Sequence, residues 1–419
     1  MTIRVATALT DAGRESAVVR AVSEMPDAVV TRRCRDVVEL RAVAHSSQVD
    51  AVVVDAGLRG LDRDVLASLD GVGVRCIVLG AGDGFTSDGL AVSADVASLP
   101  DALRTPVDTS ATTAPPVREL SPSADREGHV VVVWGPVGAP GRTTVAIELA
   151  ASACAAGADV LLVDLDTTGP SVAQLLGLLD DASGVAAAAR LGGEGRLTAT
   201  DIAALAVSVP SGPRVLVGIP SAERWTELRP GAIDEVLRCA RGLSDLTVVD
   251  LGFGIEGDDL AWLDADAPQR FGAARAALST ADVVVCVGRS DPVGLTRLLK
   301  EVPKVQSLAP TAVLEVLLNQ VRSAAAGRQA RDLVADLLGV VPQVVDADVP
   351  AVQRAQMLGV PVRERAPDSA VVAVAERLVE RMSGLIGSYH RRREPAGRTH
   401  RRLLRSPHRR HRHRDAGVV

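Results

Sequence analysis

The stretch VWGPVGAPGRTTVAIELA, from Val133 to Ala150, holds the residues whose types and spacing most plainly suggest chemistry. A short apolar strand runs into a loop containing Gly135, Pro136, Gly138, Ala139, Pro140 and Gly141. Arg142, Thr143 and Thr144 then open a helix. Glycines let backbone N–H groups curl around phosphate oxygens, and the N-terminus of the following helix adds partial positive charge. A threonine hydroxyl at 143 or 144 can bind Mg²⁺. Two positions depart from the G-x-x-x-x-G-K-S/T pattern. Arg142 stands where a lysine would reach the β- and γ-phosphates, and the first glycine comes one residue early, leaving Pro136 in its place. Taken alone, the stretch is either a phosphate-binding loop or a tight strand-to-helix turn.

Two further stretches favour the loop. VLLVDLDTTGPSVAQLLGL places Asp164 and Asp166 at the end of the next apolar strand, and LTVVDLG places Asp250 at the end of a later one. An aspartate at such a strand end can hold Mg²⁺ or its waters. One such residue alone reads as a helix cap, but three elements in the right order point to a nucleotide site.

Parallel strands must position these residues. Apolar runs recur as HVVVVWG, DVLLVDLD, RVLVGIP, LTVVDLG, DVVVCVG, AVLEVLLN and VVPQVVD, with helical stretches between most of them. The pattern predicts a doubly wound, mostly parallel sheet over 129–387, with ligands gathering at the carboxyl ends of its strands. A smaller α/β unit is expected over 1–103, from the strands IRVATAL, AVVVDAG and VRCIVLGAG and the helices between them. Residues 104–128, rich in Pro, Ser and Thr, read as a flexible linker.

Composition narrows the class. Hydrophobic residues make up 47% of the 419, enough for a core, but aromatics are 2%, so Val, Ala and Leu must fill it. No apolar run is long enough to predict a membrane-spanning helix. The N-terminus is charged too soon to read as a signal peptide. Cys34, Cys76, Cys154, Cys239 and Cys286 share no metal-binding spacing and read as small buried residues of a reducing cytoplasm. Charge is uneven. Residues 388–419 carry eleven arginines against Glu394 and Asp415, a net +9, while the whole chain is −6. That basic tail reads as disordered, or as a contact for an anionic membrane surface or nucleic acid.

The loop followed by RTT, the segment DLDTTGPSVAQLLG, and then VVDLG, ADVVVCVGRSDPVGL, LLNQV and VPAVQRAQMLGVPV together resemble the MinD/ParA branch of P-loop ATPases, over roughly residues 129–385. With an N-terminal receiver-like unit and a linker, the whole is most similar to the CpaE/TadZ proteins, which position Flp or Tad pilus machinery. PSAERWTELRPGAIDEVL resembles actinobacterial members. The resemblance implies a deviant P-loop NTPase fold, ATP and Mg²⁺ as ligands, and a homodimer, cytoplasmic or peripheral at the inner face of the plasma membrane, that works with pilus or secretion assembly proteins. It implies that the backbone from Gly138 to Arg142 cradles phosphates, that Thr143 binds Mg²⁺ and that Thr144 binds the α-phosphate. Asp166 would orient the attacking water, Asp164 and Asp250 would support the metal, and Asn319 would contact the adenine. The family's early lysine, which reaches across the dimer, aligns with Val137. An arginine fork is longer and bulkier than an ammonium, so slow hydrolysis is expected. Other readings are a non-hydrolysing scaffold and a chromosome-partition or septum-site protein.

Asp55 ends the strand AVVVDAG, where a receiver domain keeps its phosphorylated aspartate. Asp11 is the one acid near the end of the first strand, and no lysine precedes Lys300. The expectation is a degenerate receiver used for docking.

Overall fold

The computed structural model of the chain describes residues 2–46, 48–80, 85, 91–104, 128–179, 182–210, 212–257 and 269–385. The basic tail, and the linker apart from its two ends, lie outside the described residues.

The N-terminal part alternates strand and helix: β1 (Ile3–Ala8), α1 (Ala12–Ser23), β2 (Ala28–Arg33), α2 (Val37–His45), β3 (Ala51–Asp55), α3 (Arg63–Gly71), β4 (Arg75–Leu79), β5 (Val92–Ala94) and α4 (Leu99–Arg104). Its five strands are all parallel, in the order β2-β1-β3-β4-β5. This is the flavodoxin-like doubly wound order, whose switch point falls between the first and third strands. Alternate residues of AVVVD feed opposite faces. Val52 and Val54 pack with α2 and α3, and Ala51 and Val53 pack with α1 and α4.

The second sheet is built from β6 (His129–Trp134), α5 (Arg142–Ala155), β7 (Val160–Leu165), α6 (Val172–Leu175), α7 (Gly184–Gly193), α8 (Ala199–Leu205), β8 (Val207–Ser208), β9 (Arg214–Leu216), α9 (Pro230–Leu243) and β10 (Leu246–Leu251). It continues through α10 (Gly272–Ser279), β11 (Val283–Arg289), α11 (Pro292–Leu308), β12 (Val313–Val321), α12 (Ala324–Leu338), β13 (Gln343–Asp346), α13 (Val349–Leu358) and α14 (Ala370–Leu385). The strand order is β13-β12-β11-β6-β10-β7-β9-β8, parallel throughout except for the short β8–β9 pair. Strands buried on both faces read as continuous apolar runs, which is why HVVVVW and VLLVDL stand out in the sequence. Val131 and Val133 face α5, α13 and α14, while Val130, Val132 and Trp134 face α9, α10 and α11. Each such valine contributes roughly 1.5–3 kcal/mol by leaving water.

The two units meet along α3 and α9. Arg63 forms an ion pair with Glu235 at 3.1 Å, with both side chains buried. Arg229 reaches Asp62 at 2.7 Å, and the N–H of Gly231, in the first turn of α9, donates to Asp64 Oδ1 at 3.0 Å. A cleft of about 720 Å³ runs beside this joint between Leu61 and Asp62 on one side and α7 on the other. Among the described residues, no helix is long and apolar enough to cross a membrane.

Candidate functional site

The strand order spreads in both directions from β6, so the carboxyl end of β6 is where a doubly wound sheet collects its ligand. The loop from Gly135 to Gly141 sits there. Gly135 must be glycine because a Cβ would come within 2.2 Å of the Val287 carbonyl oxygen. Gly141, immediately before α5, has φ +95°, and a Cβ there would approach Asn319 Nδ2 to 2.6 Å. A left-handed glycine of this kind brings a chain to the mouth of a helix so that its first N–H groups face one point.

The loop's carbonyls are engaged by the protein itself. Arg142 Nη1 donates to Gly135 O and Pro136 O, both at 3.1 Å, and Arg297 Nη1 donates to Val137 O at 3.0 Å. Gln320 Nε2 donates to Ala139 O at 3.1 Å, and Asn319 Nδ2 donates to Pro140 O at 2.8 Å. Arg289 in turn holds Gln320 Oε1 at 3.0 Å. With five carbonyls engaged, the loop's N–H groups remain to receive an anion.

The three acids expected beside the loop are brought together. Asp164 is buried at the end of β7. Its Oδ2 accepts from the N–H groups of Ser171 and Val172, and its Oδ1 from that of Asp166. Asp166 Oδ1 accepts from the N–H and hydroxyl of Thr168 and from the N–H of Gly169, and its Oδ2 lies 3.6 Å from Arg142 Nη2. Asp250 is fully buried at the end of β10, and neither of its oxygens has a hydrogen bond of normal geometry, although the Thr143 hydroxyl faces it. The Ser171 hydroxyl reaches Thr143 Oγ1 at 3.4 Å. Burial pushes the Asp164 carboxyl up to about 7, with N–H donors working against the rise and the Asp166 charge adding to it. Burial, then the charge of Asp164, holds Asp250 well above the ordinary carboxyl value.

This donor set fits a hard divalent cation. Buried acids without sufficient hydrogen bonds are costly unless a positive charge neutralises them. Among the described residues, no group of three or more His, Cys, Asp and Glu side chains encloses a metal by itself. A Mg²⁺ here would therefore take the Thr143 hydroxyl and complete its shell with waters and phosphate oxygens, as that ion ordinarily does.

Thr144 lies in the first turn of α5, half-buried, beside a cavity of about 240 Å³ lined by Gly141, Asn319, Asp346, Asp348, Val352 and Gln353. The Asn319 amide is used on both sides. Its nitrogen grips Pro140 O, and its oxygen accepts from the N–H of Gln320, which has φ +57°. Val137 is exposed at the loop's tip. Sequence reading missed Arg289, Arg297 and Gln320. Gln320 had a usable signal, since it follows Asn319 at the end of an apolar strand.

In the N-terminal unit, Asp55 lies at the end of β3 and is 2% exposed. Arg14 Nη1 reaches its Oδ1 at 2.6 Å, while the Thr10 N–H and hydroxyl both donate to Oδ2 at 2.8 Å. Burial works to raise the Asp55 pKa, but these donors outweigh it and the net shift is downward. Asp11 caps α1 through the N–H of Arg14.

A glycine-rich loop running into a helix, with buried acids at the ends of the next two strands on one side of it in a parallel sheet, defines a nucleotide-binding α/β domain. The chain belongs to the CobQ/CobB/MinD/ParA nucleotide-binding domain family, whose model matches residues 131–358, just over half of its length. It is similar to an uncharacterized ATP-binding protein of Methanocaldococcus jannaschii, with 24% identity over 258 residues, covering 58% of this chain and 84% of that protein. A ParA family ATPase from Chlorobium tepidum superposes with a TM-score of 0.50 at 17% identity, over 61% of this chain and 99% of that one, and so shares the fold. The septum site-determining protein MinD of Pyrococcus horikoshii, solved with Mg-ADP, gives 0.49 at 22% identity, over 62% and 98%.

Proposed function

We propose that this chain is an ATP-binding, slowly hydrolysing switch of the MinD/ParA kind that acts as a homodimer and localises a Flp/Tad pilus or secretion assembly, as CpaE/TadZ-like proteins do. The observation that carries the nucleotide reading is the loop whose five carbonyls are held by the protein, set 3.6 Å through Arg142 from Asp166 and next to the unsatisfied Asp250. The N–H groups from Gly138 to Arg142 would bind the phosphate chain, the Thr143 hydroxyl would hold a Mg²⁺ with the buried acids Asp164 and Asp250 supporting it, and Thr144 would meet the α-phosphate. The cavity beside Thr144 and Asn319 takes the base. Bound Mg²⁺ supplies charge neutralisation on the phosphates. Asp166 orients the attacking water, and Arg142 stabilises charge on the transferred phosphoryl group from a fork that already serves two loop carbonyls. That divided duty is our reason for expecting slow turnover.

The pilus reading rests on the order of parts: a flavodoxin-like sheet with an aspartate at the end of β3, a linker, then the nucleotide domain. The basic tail would serve as a contact for an anionic surface. Deleting residues 388–419 is expected to weaken binding to anionic vesicles or DNA in a salt-dependent manner. Salt-sensitive binding that survives the deletion excludes the tail as the contact. The non-hydrolysing scaffold is favoured by one observation, the grip of Arg142 on its own loop. Calorimetry with ATP and a non-hydrolysable analogue, beside a phosphate-release assay, separates the two. Binding with slow release supports the switch, binding without release supports the scaffold, and no binding removes the nucleotide reading.

A further inference from the structure

The loop that carries Asp166 is held from outside the site, by a residue that no part of the nucleotide reading uses. Arg270 donates through Nη1 to the Thr167 hydroxyl at 3.1 Å and through Nη2 to the Thr167 carbonyl at 2.9 Å. Thr167 is buried and follows Asp166 directly. The guanidinium is seated on aromatic faces, with its carbon 5.2 Å from the Trp225 ring centre and 5.5 Å from that of Phe271. The whole chain has seven aromatic residues, so two of them under one arginine is a concentrated investment. Arginine suits this place because its planar fork stacks on rings while its N–H groups stay free to grip a carbonyl.

The seat is shared with the joint between the two units. Trp225 lies in the short 3-10 turn Ala222–Glu227, which leads into α9 at Pro230. Gly272, two residues after Arg270, lies so close to Pro230 that a Cβ there would come within 2.7 Å of the proline ring. On its other side, the first turn of α9 is capped by the N-terminal unit, where Asp64 Oδ1 accepts the Gly231 N–H and Asp62 holds Arg229. One turn further along, the buried Arg63–Glu235 pair anchors α3 to α9. A continuous path of contacts thus runs from α3, through the start of α9, to Arg270 and the Asp166 loop.

We propose that Arg270 is a positioning residue for the Asp166 loop, and that docking of the N-terminal unit on α9 sets how firmly it grips. The catalytic part of this proposal rests on the ATPase reading above, while the mechanical part does not. Packed elements pass on small displacements because they have little free volume to absorb them. A loosened first turn of α9 would shift Pro230, the turn carrying Arg270 and then Thr167, leaving Asp166 less well aimed. The phosphate loop itself is held by Asn319, Gln320 and Arg297, which lie off this path, so nucleotide affinity is spared.

The test uses the full chain and two readouts. Arg270→Lys keeps the charge but loses the fork. Asp64→Ala and, separately, Arg229→Ala loosen the joint. Hydrogen–deuterium exchange is followed at Thr168 and Gly169, whose N–H groups bond Asp166. Exchange there is expected to quicken in Arg270→Lys and, less strongly, in both joint variants, with the Asp64→Ala/Arg270→Lys double variant less than additive. Turnover in Arg270→Lys is expected to fall roughly tenfold or more while the KM for ATP stays within about twofold. A merely structural arginine would impair both, lowering turnover and raising KM, or neither. Unchanged exchange at Thr168 and Gly169 in Arg270→Lys overturns the positioning role. Joint variants that expose the first turn of α9 but leave Thr168 and Gly169 unchanged overturn the coupling. A parent chain that hydrolyses no ATP removes the ATPase reading, and the exchange data still decide the mechanical one.

Discussion

The two sheets of this chain each end a central strand in a buried aspartate facing an arginine, and they treat it differently. In the N-terminal unit, Asp55 is saturated: Arg14 at 2.6 Å on one oxygen, the Thr10 N–H and hydroxyl on the other. In the second unit, Arg142 stands 3.6 Å from Asp166 and spends its shorter contacts on loop carbonyls, while Asp250 is left without a normal hydrogen bond. The pKa directions follow. Asp55 is pulled below the ordinary value by its donors, while Asp164 is pushed up to about 7 by burial and the charge of Asp166, and Asp250 is also raised, by burial and the charges of Asp164 and Asp166. The first site has answered its own charge; the second needs a cation to do so. A parallel sheet of this kind presents acids at its carboxyl edge in either case, and what separates the two edges is whether the chain supplies the counter-charge.

The comparison is tested most severely at Asp166. Asp166→Ala is expected to preserve ATP binding and to lower turnover by about a hundredfold or more, because a group that aims the nucleophile acts in the transition state and not in the ground state. Retained phosphate release in this variant would move the catalytic role elsewhere. Arg142→Ala is expected to weaken ATP binding by roughly tenfold to a hundredfold, the loss of a charge-assisted hydrogen bond, measured by calorimetry. Arg142→Lys should not lower turnover, since an ammonium would no longer divide itself between Gly135 O and Pro136 O. A sharp fall with lysine would show the guanidinium to be adapted to this loop.

Much of this could be read along the chain. The valine runs mark the central strands because both faces of a parallel sheet are buried, and Asp55, Asp164, Asp166 and Asp250 announce themselves by ending such runs. β2 was not legible: AVVTRR is an edge strand, mostly exposed, and its arginines break the pattern. Nor was the partner of each acid. Arg14 and Asp55 are forty-one residues apart, and Arg270 and Thr167 are 103 apart. Arginines are scattered through the whole chain, so residue type gives no hint which of them folds onto an acid, a carbonyl or solvent. Contacts of that range are fixed by the strand order, which local periodicity does not encode.

The raised acids give the comparison a pH dependence. A carboxyl whose pKa is raised on folding contributes stability below its unfolded value of about 3.9 and loses it as pH rises through the folded value. For Asp164 that folded value is about 7. The ligand-free chain should therefore lose about 1 kcal/mol between pH 6 and pH 8, and Mg-ATP should restore it, because a cation binds the ionised pair. Thermal melts at both pH values, with and without Mg-ATP, measure this, and Asp250→Asn should flatten the slope. A slope unaltered by both Mg-ATP and Asp250→Asn would place the titration elsewhere.

The smallest effect is expected at Asp55. Phosphoryl transfer to this residue would need a free carboxylate oxygen, a bound cation and a neutralising lysine. Arg14 and Thr10 already engage both oxygens, Asp11 is committed to capping α1, and no lysine precedes Lys300. Asp55→Asn should therefore leave ATP turnover and oligomeric state unchanged, and the parent chain should take up no phosphate from a small phosphodonor. One trace is predicted. Because the Asp55 pKa is lowered, its contribution to stability is present above the ordinary carboxyl value and fades as pH falls below it. The parent chain should thus lose more stability than Asp55→Asn on passing below about pH 4, read from acid unfolding curves of the two proteins. Phosphate incorporation that disappears in Asp55→Asn would overturn this, and would mean that Arg14 swings away to open the N-terminal site as a second place where the chain awaits an outside charge.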